Sequence, residues 1–148
     1  MANLYLWLKF FHMLGVATFL FTHGITAGTA LALRGTVSQA SRGLLKLSQA
    51  SSAASYPSLL LIVVTGVWMA FAGHWWGQAW PWVAILVLVA VLGSMFWIAR
   101  PYYLARDAAS QADEAVADRL SKARPIAAFW IGGVGVLILV FLMVVKPF

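Results

Sequence analysis

The side chains best suited to chemistry in this chain are three histidines, His12, His23 and His74, each set in or beside a long apolar run. Imidazole ligates haem iron, zinc and copper, and an ionisable group inside a membrane span is costly enough to point to function. His12 and His23 lie in one run, Leu4 to Leu33. Eleven residues separate them, so on a helix they share a face, about 16 Å apart along the axis. Gly15, Val16, Phe19, Thr26, Ala27 and Ala30 fall on the same face, and their small side chains leave room for a flat group beside the helix. The other usual chemistries are missing. Cysteine is absent, and all four acidic residues lie within 107–118, so the apolar runs hold no carboxylate. Thiol catalysis is excluded, and hydrolysis or proton pumping by buried acids is disfavoured.

The elements that position these histidines follow from composition. The 148 residues are 63% hydrophobic and 9% charged, against about 25% charged in a soluble domain. The chain therefore reads as a single integral membrane domain. Its net charge of +6 comes from residues flanking the apolar runs, which is a topology signal and not a nucleic-acid surface. The first apolar run is too long for a cleaved signal and is expected to stay as a span. Four runs are long enough to cross about 30 Å of hydrocarbon as helices: about 4–33, 57–76, 80–104 and 125–146. Pro57, Pro81 and Pro125 stand at three of the starts, where proline is favoured. Pro101 is expected to kink the third helix.

Loop charge sets the orientation. Residues 34–56 carry Arg34, Arg42 and Lys46, and residues 100–124 carry five basic side chains, whereas 76–80 carry none. Basic loops stay in the cytoplasm, which places both termini outside and predicts an all-α, N-out/C-out transmembrane four-helix bundle in a bacterial-type inner membrane. Residues 37–47 have the spacing of an interfacial amphipathic helix. Residues 102–123, with Asp118 and Lys122 at i,i+4, read as a cytoplasmic helical extension of the third helix.

On antiparallel helices His12 and His74 fall at similar depths near the outer side. A b-type haem between them would have two imidazole axial ligands, a ligation suited to electron transfer. Lys9 and Lys146, the two lysines at that side, would meet its propionates. His23 lies deeper, at a level similar to Met95, and is the alternative iron ligand, alone or with that methionine. Copper is a second chemistry, since imidazole and thioether suit it; His12, His74 and Met143 are its candidates. A third reading is a non-catalytic accessory subunit, or a homo-oligomer, packed through glycine-rich faces such as Gly24–Gly28 (a GxxxG pattern) and Gly132, Gly133 and Gly135.

The run Leu8-Lys9-Phe10-Phe11-His12-Met13-Leu14-Gly15, with Thr65-Gly66-Val67-Trp68-Met69 and Leu142-Met143-Val144-Val145-Lys146-Pro147, resembles small four-helix bacterial membrane proteins. These are related to copper-resistance D-like domains and, more remotely, to the haem-binding membrane protoporphyrinogen oxidases. The resemblance implies a four-helix fold and assigns His12 to the position of an early haem-b histidine. The oxidases also carry a lysine at the start of the third helix, where this chain reads Trp80-Pro81-Trp82-Val83-Ala84-Ile85-Leu86. The leading expectation is a haem-b-binding electron-transfer protein, exchanging electrons with quinone or with an outer-side redox partner.

Overall fold

A computed structural model describes residues 2–33, 38–108 and 113–147. Their architecture is all-α: α1 (Ala2–Ala32), α2 (Gln39–Ala72), α3 (Trp80–Ile98), α4 (Arg100–Asp107), α5 (Asp113–Ser121) and α6 (Pro125–Val145), with a short 3₁₀ turn at Trp75–Gly77. Four of the helices, α1, α2, α3 and α6, are long and apolar enough to cross a membrane. The polarity of the packing is inverted. Phe21, Leu86, Leu137 and Val144 are at least 70% exposed, while His12, Thr22, Thr26, Thr29 and Ser48 are buried. That is the pattern expected where the surroundings are lipid and polar groups must find partners within the protein.

The second helix departs from the sequence expectation. It does not begin at Pro57 but at residue 39, and it runs through that proline. Ser38 caps it: its hydroxyl accepts from the Ser41 N–H, and the Ser41 hydroxyl accepts from the Ser38 N–H. This reciprocal pair satisfies two otherwise free donors. Thirty-four residues give a helix about 51 Å long, well beyond the hydrocarbon thickness. The serine-rich stretch ahead of Pro57 turns its hydroxyls inward. Ser51 and Ser52 donate to the Ser48 carbonyl, Ser55 to that of Ser51 and Ser58 to that of Ser55. The proposed interfacial helix at 37–47 is instead the first three turns of α2, where Leu45 is fully buried; residue 37 lies outside the described residues.

Two helix pairs result, α1 with α2 and α3 with α6, touching each other much less than within each pair. The first pair is antiparallel in constant register. His12 lies opposite Thr65, Gly15 opposite Ile62, Thr22 opposite Ser55 and Thr26 opposite Ser51. The second pair comes close where Gly135 faces Val91 and Gly132 faces Met95. Pro101 does break the third run: α3 ends at Ile98 and α4 restarts after Ala99 with proline in its first turn. The extension beyond it is two short helices and not one. Arg119 donates to the Leu104 carbonyl and Val116 is fully buried, so α5 packs back on α4. Together with α2 they enclose a small core of Leu33, Leu45, Tyr102, Ala108 and Val116 at the basic end of the bundle.

Candidate functional site

His12 is buried on the α1/α2 seam. Its Nδ1 lies 3.1 Å from the Ile62 carbonyl and 3.0 Å from the Thr65 hydroxyl. The carbonyl can only accept, and the Thr65 hydroxyl proton is directed to the Leu61 and Ile62 carbonyls, so the hydroxyl oxygen also acts as acceptor. Nδ1 therefore carries the proton and Nε2 keeps its lone pair. Gly66 backs the ring: a Cβ there would sit 3.2 Å from the imidazole Cε1. A histidine anchored through one N–H to a carbonyl, with its other nitrogen basic, has the orientation of a metal-ligating histidine.

His74 is not its partner. It follows α2 in a left-handed backbone conformation (φ 56°, ψ 36°) with its side chain exposed. Thr65, opposite His12, is nine residues earlier, about 12 Å along the axis even if only eight of those steps are helical. The register of the hydroxyl seam, and not equal depth in the membrane, sets which residue of α2 meets His12. A haem bracketed by those two imidazoles does not fit this arrangement. Among the described residues, no three side chains of the His, Cys, Asp or Glu type come together as a metal site, and the same axial offset separates His12 from His74 as partners on one copper ion.

The two lysines behave differently from each other. Lys146 ends α6 in a left-handed conformation (φ 49°) and lays its ammonium 3.8 Å from the centre of the Trp75 ring and 5.4 Å from that of Trp80. That cation–π contact engages it on the aromatic cluster that also includes Tyr5. Lys9 is exposed, one turn from His12 toward the same end.

His23, on the same face of α1 as His12 but level with α3 and α6, is half-buried and stacked on Phe19 (centroids 5.4 Å apart, 11° between planes). The expected level match with Met95 is present. A Cβ placed on Gly132 would lie 3.2 Å from His23 Nε2 and 2.7 Å from Met95 Cε, so the imidazole and the thioether converge on the same glycine of α6. Both line a narrow crevice between α1, α3 and α6, about 40 Å³ in volume. At its basic end the crevice shares Ala30, Arg124 and Pro125 with a wider, mostly apolar chamber of about 870 Å³.

Sequence reasoning missed the hydroxyl seam itself. Thr22, Thr26, Ser51 and Ser55 bond across it at 2.8–3.0 Å, and Thr29 reaches the Tyr102 hydroxyl at 2.9 Å. The signal was there: threonines at 22, 26 and 29 and serines at 48, 51, 52, 55 and 58 each follow a three- and four-residue spacing. Arg106 was also missed. Its guanidinium, only 10% exposed, donates to the Ser52 hydroxyl at 2.6 Å and lies over the Tyr103 ring, fastening α4 to α2. The GxxxG glycines, by contrast, pack against nothing among the described residues: Gly24 and Gly28 are exposed, and a Cβ on either meets no described atom within 4 Å.

Comparison with protein-family models, with characterised proteins and with solved structures finds no match for this chain.

Proposed function

We propose that the chain is a membrane redox protein that binds haem b, with His12 Nε2 as the nitrogen that would hold its iron. The observation that supports this reading is the anchoring of His12 Nδ1–H between the Ile62 carbonyl and the Thr65 hydroxyl, which leaves the second nitrogen as a fixed Lewis base inside an apolar span. When bound, the haem would supply one-electron chemistry. The residues of the chain hold the imidazole tautomer, through Ile62 and Thr65, and keep the ring edge free of a side chain, through Gly66. Lys9 is the lysine left to neutralise a propionate, since Lys146 is engaged by Trp75 and Trp80. In this reading the basic end is cytoplasmic by the charge of its loops. His12 then lies toward the outer side of an inner-membrane protein whose termini are both outside, within reach of an outer redox partner.

The optical spectrum of the purified protein tests the reading. A Soret band and a reduced α-band of b type are expected, and both should vanish in His12→Ala. A preparation without either band, made with haem supplied, refutes it. Metal analysis of the same sample reads out the copper alternative.

A second reading, that of an accessory subunit or homo-oligomer, is favoured by one observation. Gly24 and Gly28 present a small-residue surface outward from α1, as a helix does when it packs against another chain. Its signature is a cofactor-free protein whose self-association or co-purification is lost on Gly24→Leu.

A further inference from the structure

Among the described residues, two that are not glycine have a left-handed backbone, His74 (φ 56°) and Lys146 (φ 49°). Both flank one feature at the end of the bundle away from the basic loops, the indole pair Trp75 and Trp80, whose ring centres lie 5.4 Å apart at 55° to each other. The protein fixes this pair from several sides. His74 turns the chain so that the Trp75 ring lies over Gly73, where a Cβ would fall on the indole itself. Tyr5 of α1 packs in a T-shaped contact with Trp75 (6.2 Å, 89°). Trp80 is buried and donates its indole N–H to the Gln78 side-chain carbonyl.

The cation at this pair is held differently. Lys146 places its ammonium 3.8 Å from the centre of Trp75 and 5.4 Å from that of Trp80, inside the range of a cation–π contact. Yet its side chain is exposed and flexible, and all four acidic residues of the chain lie in 107–118, at the other end of the bundle. Such a contact at an exposed site is worth about two- to fivefold in population, so the lysine leaves the rings for roughly a sixth to a third of the time. Preorganised rings with a loosely held occupant have the build of a receptor for an exchangeable cation.

We propose that the Trp75–Trp80 cage is a binding site for a quaternary ammonium group, such as a choline head group carries, and that Lys146 is the chain's own competitor for it. Two angled indoles offer negative ring faces, which attract a cation and repel an anion. A primary ammonium is compact and strongly hydrated, whereas a methylated ammonium gives up less water on entry. A small hard cation would need carboxylates, and none stands at this end. The cage joins the end of the α2 span to the start of α3, the level at which tryptophan rings meet lipid head groups. When a head group takes the cage, Lys146 swings out and the end of α6 loses its tie to the α2–α3 connection.

Nothing in this site needs haem, so it is independent of the redox reading. The test uses the whole 148-residue chain with isotope-labelled indoles in phosphatidylglycerol nanodiscs, titrated with tetramethylammonium chloride and, separately, with sodium chloride at equal ionic strength. The Trp75 and Trp80 resonances should shift saturably with the first salt only, while those of Trp97 and Trp130 stay in place. Lys146→Met removes the competitor and should tighten the probe about three- to sixfold; Lys146→Arg, which keeps a cation, should not. Trp75→Leu should abolish the response of Trp80. Should that variant fail to fold, Gly73→Ala, which unseats the Trp75 ring, does the same. In phosphatidylcholine nanodiscs the two signals should begin at their shifted positions and the probe add nothing, which assigns the site to a lipid head group; an unshifted start with a full response assigns it to a free solute of the same chemistry. Three results overturn the proposal: Trp75 and Trp80 silent to tetramethylammonium, an equal response to sodium, or a Lys146→Met protein that binds the probe no tighter.

Discussion

Gly15 tests the register of the α1/α2 seam, and with it the position of every polar group on that seam. A Cβ at this position would lie 3.1 Å from Ile62 Cγ1, 3.3 Å from the Ser58 carbonyl oxygen and 3.5 Å from the Ile62 nitrogen. Two of those atoms are backbone, so the neighbour cannot yield by rotating a side chain, and the helices must separate by a few tenths of an ångström. They are clamped on either side, by His12–Thr65 at 3.0 Å and Thr22–Ser55 at 2.8 Å. Overpacking of this kind costs about 1–3 kcal/mol, against a gain of up to about 1 kcal/mol from replacing glycine by alanine in a helix. Gly15→Ala should thus be destabilising by about 0–3 kcal/mol, and Gly15→Leu by more. Gly24→Ala and Gly28→Ala meet no atom within 4 Å and keep only the propensity gain, so each should be neutral to stabilising by up to about 1 kcal/mol. Unfolding in mixed micelles at increasing SDS fraction, followed by tryptophan fluorescence, reads both classes on one scale. The difference in sign is the result to look for. A Gly15→Ala protein more stable than the parent would refute the register. Loss of stability at Gly24 or Gly28, if it grew with protein concentration, would show that a second chain covers that face.

Across the same seam, a double-mutant cycle with Thr26→Val and Ser51→Ala should give a coupling of about 0.6 kcal/mol, the average for such bonds in membrane proteins, and at most about 1.7; additive effects would mean that the 3.0 Å contact contributes nothing. At the basic end, burial pushes the Tyr103 phenol above its ordinary value of 10.0, with Tyr56 adding to the rise and Arg106 opposing it. Because the folded state favours the neutral phenol, this stability is fully present below the unfolded pKa and is lost as pH climbs through the folded one. Absorbance titration should find Tyr103 ionising late, and Tyr103→Phe should remove its share of the alkaline loss of stability. The Lys122–Asp118 pair (2.7 Å, side chains 65% and 61% exposed) is worth about 0.3–0.5 kcal/mol at low salt, so Asp118→Ala should be nearly silent, and wholly so at high ionic strength.

The spans were legible because hydropathy over some twenty residues is a strong signal, and at Pro81 and Pro125 the proline starts are real. Pro57 was misleading for a local reason. A proline opening an apolar run looks like a first turn, but the serines before it bond back to their own helix and extend α2 by eighteen residues, from 39 to 56. The partner of His12 was not legible, because hydropathy leaves the axial offset between two spans free, whereas a hydroxyl–hydroxyl bond at 2.8 Å fixes the register to the residue. The His23–Met95 match was legible because both positions were counted along their own spans. Gly132, the residue that lets them meet, carries no side chain to count.

The two helix pairs are held by different forces, and the difference has a consequence for the site. Between α1 and α2 the bonds are directional and distributed along the length, from His12 near one end to Thr26 near the other. Between α3 and α6 the attraction is close contact at glycines, strong only while the backbones stay near. Between the pairs, the basic end supplies Thr29 to Tyr102, Arg106 to Ser52 and the Leu45–Val116 core, and the other end supplies Lys146 over Trp75. Above that cap, the junction is lined by alanines and by the flexible Met95. In lipid, where no hydrophobic force drives helices together, such a junction opens at smaller cost than either pair. His23, half-buried and stacked only on Phe19, stands at this weakest seam, and His12 at the strongest.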